Sequence, residues 1–92
     1  MKSSDKALTS AQIRAARALL RWRAEDLARE SAVGIATIRR AELTEDKTSL
    51  TSPNDRAIRR ALEEAGIVFI DENGDGPGVR LRKRVPKKPG SK

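Results

Sequence analysis

Apolar positions recur every three or four residues across residues 10–22, where Ile13, Ala16, Leu19 and Leu20 fall on one stripe. That is the spacing of an amphipathic helix. Thr9 and Gln12 stand ahead of it at capping-box spacing, which leaves residues 1–8 as a flexible polar leader. A second helix is expected over residues 24–31, with Glu25 and Asp26 in the first turn, where the helix dipole favours anions, and Leu27 and Ala28 inward. Ser31-Ala32-Val33-Gly34 breaks the period, and a third helix over residues 35–43 turns Ile38 and Ala41 inward. After a polar loop, Ser52-Pro53-Asn54-Asp55 reads as a helix start with Ser52 as cap, Pro53 at the first position and Asp55 at the third. The fourth helix, residues 53–65, would bury Ala57, Ile58, Ala61, Leu62 and Ala65 and stop at Gly66.

The period then shortens to two. Residues 67–71 and 79–82 alternate as strands around a Gly/Pro/Asn/Asp turn region, which predicts a β-hairpin with a long loop. Residues 83–92 are basic and Pro/Gly-rich, the composition of a disordered tail. The fold class expected is mainly α: a compact four-helix domain over residues 9–82 with a C-terminal hairpin.

Composition narrows the chemistry. Of the 92 residues, 37% are apolar and the aromatics are Trp22 and Phe69, so the core must be a thin one of Ala, Leu, Ile and Val. Dimer formation is a natural way to bury what so small a domain leaves exposed. With no cysteine and no histidine, disulfides, thiol nucleophiles and the usual zinc ligand sets are excluded, and no constellation supports catalysis. No metal or cofactor is expected. Asp71-Glu72-Asn73-Gly74-Asp75-Gly76 matches the opening of a calcium loop, but Arg82 stands where the bidentate Glu belongs and Pro77 follows the glycine; the stretch is a turn. No apolar run is long enough to span a membrane and no secretion signal is visible, so a cytoplasmic, nucleoid-associated location is expected.

Charge changes the picture more. Residues 1–79 balance 13 basic against 13 acidic side chains, so the net +7 resides in residues 80–92. Residues 14–40 hold seven Arg against Glu25, Asp26 and Glu30, whereas residues 41–79 hold four basic and nine acidic side chains. One side of the molecule is therefore expected to face a polyanion. Arg14, Arg17 and Arg21 form a basic stripe on the first helix, read equally well as a solvated face.

Leu27, Ala28, Val33 and Ile38 stand where two short helices crossing steeply must touch, joined by a turn with no room to spare. On these residues, and on the run from Arg23 to Glu42 that contains them, the chain resembles the lambda-repressor/Cro-like (XRE-type) regulators of bacteria and phages. The resemblance covers about residues 9–65. This chain has Ala24 where the family often has Gln, Ala32 for Gly, Gly34 for Ser or Thr, and a hairpin in place of a fifth helix.

The resemblance implies a helix-turn-helix that reads duplex DNA, with Ile35, Ala36, Thr37 and Arg40 facing the major groove and Arg39 flanking. The side chains suit that role. Arg40 can pair with guanine O6 and N7, Thr37 can bond a base edge or phosphate, and Ile35 or Ala36 can meet a thymine methyl. Ile35 has an alternative place, buried against the hairpin or a partner chain. Arg23, Lys47, Thr48 and Ser49 border the motif as candidates for phosphate contacts. Val68, Phe69, Ile70, Val79 and Leu81 on the hairpin are the candidate dimerisation residues. The expected partners are operator DNA, a second copy of the chain and, by the resemblance, RNA polymerase, with no membrane. The basic tail is either a DNA-contacting arm or a solubilising terminus. A second reading of the same fold is a protein-binding module such as an antitoxin or anti-activator.

Overall fold

The computed structural model describes residues 7–44, 48 and 50–83. Four helices, α1 (Ser10–Leu20), α2 (Ala24–Ser31), α3 (Ile35–Leu43) and α4 (Ser52–Glu64), precede an antiparallel hairpin of β1 (Ile67–Ile70) and β2 (Gly78–Leu81). Leu8, Ile13, Ala16, Leu27, Val33, Ile38, Ala41, Ile58, Ala61, Leu62 and Ile67 form one buried cluster. Among the described residues no helix is long and apolar enough to cross a membrane.

The capping box opens α1: the Thr9 hydroxyl accepts from the Gln12 N–H and the Gln12 carboxamide accepts from the Thr9 N–H. Two corrections apply at this end. Leu8 is fully buried, and its N–H donates to the buried Asp55 carboxylate at 3.0 Å. The folded domain therefore reaches back into the segment expected to be a leader. Thr51, not Ser52, caps α4 by accepting from the Asn54 N–H, so Pro53 stands at the second helical position and Asp55 at the fourth. The remainder of the leader, residues 1–6, lies outside the described residues.

The helix α1 ends at Leu20 rather than Trp22. Arg21 takes a left-handed conformation, and the N–H groups of Arg21 and Trp22 close on the carbonyls of Ala18 and Arg17. Leu19, expected inward, lies on the outer face and is exposed. The helix α2 starts where the Arg23 N–H donates to the Asp26 carboxylate at 2.8 Å. That bond, helped by Arg29, holds Asp26 below the usual aspartate range. Its stabilisation is complete above the ordinary aspartate pKa and is lost as pH falls through the lowered native value.

The turn between α2 and α3 is built from Ser31 and Ala32. The Ser31 hydroxyl donates to the Leu27 carbonyl and accepts from the Val33 N–H. Ala32 is left-handed at φ 62°, a conformation that costs an L-residue about 1–2 kcal/mol. Ala32 is solvent-exposed, so Ala32→Gly should lose no packing. It is expected to raise stability by up to about 1 kcal/mol after the extra backbone entropy of glycine is subtracted. Thermal denaturation checks this, and a lower melting point would contradict it.

The hairpin pairs Ile67 with Leu81 and Phe69 with Val79, and it packs on α1 and α4. Ile67 is wholly buried, and Phe69 and Val79 pack on the core, with the Arg59 guanidinium 5.1 Å from the Phe69 ring centroid. The Gln12 amide donates to the carbonyls of Ile70 and Gly78, tying hairpin to α1. A two-stranded unit cannot stand alone; here the helices support it. The strand β1 is one residue shorter than expected, at its loop side, and β2 keeps the expected length but is shifted one residue toward the loop, so that Gly78 joins it and Arg82 falls outside. In the loop the Glu72 carboxylate accepts from the N–H groups of Gly74 and Gly76, which are both at positive φ.

Candidate nucleic-acid interface

The helix α3 presents two faces. Ile38 and Ala41 are buried, whereas Ala36, Arg39 and Arg40 are exposed and Ile35 and Thr37 are half-buried. Gly34 precedes the helix without a side-chain cap, so the first N–H groups of α3 lack an intrahelical partner and form its positive end. A Cβ at Gly34 would meet nothing within 4 Å, so the missing cap is not imposed by space.

An ion pair spanning 25 positions sets the seat of α3. Arg17 on α1 donates to both oxygens of Glu42 at 2.7 and 2.6 Å, and its third contact is the Trp22 carbonyl at 2.9 Å. Glu42 holds Arg17 even further above its already high pKa, against the opposing effect of burial. The Ser10 hydroxyl adds a bond to the Thr44 carbonyl. The C-terminal end of α3 is thereby tied to α1 at two points.

The basic residues divide by partner. Among the described residues, Arg14, Arg21, Arg23 and Arg40 are exposed and make no ion pair. Arg17 is withdrawn into the Glu42 clamp, so the stripe expected on α1 has a structural member at its centre. Arg29 meets Asp26 and Glu30, and Arg39 reaches across to Glu25 on α2 at 2.9 Å. The Arg39–Glu25 bridge has no sequence signal, because the two residues lie on different helices. It leaves a carboxylate beside the outward face of α3. Should this face meet DNA, Glu25→Gln is expected to tighten binding to every duplex several-fold, by removing a charge that repels phosphate and releasing Arg39. Titration of a labelled random duplex at fixed salt checks it, and unchanged affinity would place Glu25 away from the DNA.

The remaining candidates fall differently. Arg23 is exposed at the start of α2. The Thr48 hydroxyl is buried without a hydrogen-bond partner, and its N–H is engaged by the Leu8 carbonyl. That corrects its place among the phosphate contacts, since neither group is offered outward. Lys47, Ser49 and the tail from residue 84 lie outside the described residues. Of the hairpin candidates, Phe69 and Val79 serve the monomer core, Val68 and Ile70 are half-buried, and Leu81 is exposed. No known family model matches the chain, and no characterised protein is significantly similar to it.

Proposed function

We propose that the protein is a sequence-specific double-stranded DNA-binding transcriptional regulator with a lambda-repressor-like helix-turn-helix, α3 lying in the major groove. The observation that carries this reading is the division of α3. Its apolar side packs on the core and Glu42 joins it to Arg17 on α1, while Ala36, Arg39 and Arg40 stand outward, Arg40 with no ion pair among the described residues. A core-anchored helix with a solvent-facing basic side suits groove insertion, where positioning must be rigid and charge must meet phosphate.

In this reading Arg40 pairs with a guanine edge, Thr37 bonds a base or phosphate, and Ile35 or Ala36 meets a thymine methyl. Arg23 positions the protein on the backbone. So lean a set of base-reading groups leaves part of the specificity to DNA shape and to the spacing of two half-sites in an inverted repeat. Regulation then follows the protein's own concentration, as in an autoregulatory switch.

The test is a gel shift on DNA upstream of the protein's own gene, with unlabelled random duplex as competitor, followed by footprinting. A shift that survives competition, with protection of an inverted repeat, supports the reading. Binding to a neighbouring gene product with no duplex bound would make the chain an antitoxin or anti-activator instead.

A further inference from the structure

The outward face of α1 is apolar. Ala11, Ala15, Ala18 and Leu19 are all exposed there, interrupted by Arg14 alone. A surface helix ordinarily turns polar residues to water. Beside this face runs the edge of β2. The Arg82 N–H donates to the Gly66 carbonyl at 2.7 Å, continuing the ladder between the strands. Hydrogen-bonded and non-bonded pairs alternate in an antiparallel ladder, so the backbone groups of Val79 and Leu81 point away from β1. Among the described residues they have no partner. An open groove of about 350 Å³, lined by Ala11, Ala15, Pro77 and Val79, joins the helix face to the strand edge. Leu19 and Leu81 are each 42% exposed.

We infer that this edge and the adjoining face of α1 form a two-fold interface with a second copy of the chain, β2 pairing antiparallel with its counterpart about Arg80. Charge selects the occupant and its direction. The strand runs from an acidic loop containing Asp71, Glu72 and Asp75 to a basic end at Arg82 and Lys83. Antiparallel pairing lays the basic end of each copy beside the acidic loop of the other, whereas parallel pairing would set like charges together. Centring on Arg80 places Val79 opposite Leu81 of the partner subunit, so every outward backbone group of both residues is used. Centring on Val79 would place Pro77, which has no N–H, opposite Leu81 and forfeit bonds. The inward-facing Val79 and Leu81 of each copy then cover the groove over Ala11 and Ala15 of the other. The chosen register has one cost: it sets two Arg80 side chains opposite each other.

This pairing would supply the two-fold arrangement that an inverted repeat requires, but it is tested without DNA and stands or falls separately. Sedimentation equilibrium of the full chain is expected to return twice the 10.1 kDa mass of one chain. Ala15→Glu would bury a carboxylate in the groove and is expected to weaken the dimer at least about tenfold. Because Ala15 is exposed in the single chain, the circular-dichroism melt of the diluted monomer should barely change. Arg80→Thr removes the like-charge pair and is expected to tighten the dimer several-fold. A monomer at the highest soluble concentration overturns the inference, as does a dimer indifferent to Ala15→Glu. An unchanged or weaker Arg80→Thr dimer overturns the register. A monomeric chain that instead captures an acidic extended peptide would assign the edge to a foreign strand and overturn self-pairing.

Discussion

Replacing Glu42 with alanine is expected to destabilise the fold by about 2–3 kcal/mol, a large share of what a domain this small can hold. The carboxylate is nearly buried, with its side chain 9% exposed, and it receives two bonds from an Arg17 guanidinium that is 22% exposed. Removing it strands a partly buried cation whose other hydrogen bond among the described residues goes to the Trp22 carbonyl. Residual water access to Arg17 keeps the cost below the full value for a wholly buried pair. Urea denaturation followed by circular dichroism measures it, and a loss under about 0.5 kcal/mol would reduce the clamp to a surface pair. The double replacement Arg17→Met with Glu42→Leu should recover most of the loss, since apolar groups of similar shape can replace such a pair. If stability returns while DNA affinity stays low, the clamp's second duty is to hold α3 at its angle.

Under the proposed function, Arg40→Ala carries the largest expected effect on DNA binding. It should cost about 1–3 kcal/mol on the specific site and little on random duplex. The fold should not change, because the side chain is exposed and makes no ion pair among the described residues. Fluorescence anisotropy against both duplexes at one salt concentration separates the two terms. Equal loss on every sequence would make Arg40 a phosphate contact and move base reading to Thr37 and its neighbours.

Much of the framework was legible because its signals are local. A capping box, a helical period and a shift to period two are each contained within a few residues, and Thr9, Leu27, Ile38 and Ile67 lie where those signals placed them. Ala32 takes a left-handed conformation within the stretch where the helical period breaks. The errors share a cause. Leu8 reads as leader, and Asp55 only as a first-turn residue of α4, because their bond spans 47 positions and leaves no local trace. Leu19 reads as inward from its spacing of three to Ala16, yet it projects from the outer face of α1. Thr48 was assigned outward by its place in a polar loop, yet its hydroxyl turns in.

The candidate site divides the same way. Which residues of α3 face outward follows from its period, because Ile38 and Ala41 must be buried and the helix has only one other side. Which cations remain available does not follow from spacing. Of seven arginines alike in sequence, Arg17 became a clamp and Arg39 a bridge, while Arg23 and Arg40 make no ion pair among the described residues. The sequence alone therefore determined the helices, the turn and the outward side of α3, all consequences of backbone geometry over a few residues. Only the tertiary structure decided the charges and the hairpin's inner face, because an ion pair or a strand on a helix depends on distances that chain order does not encode.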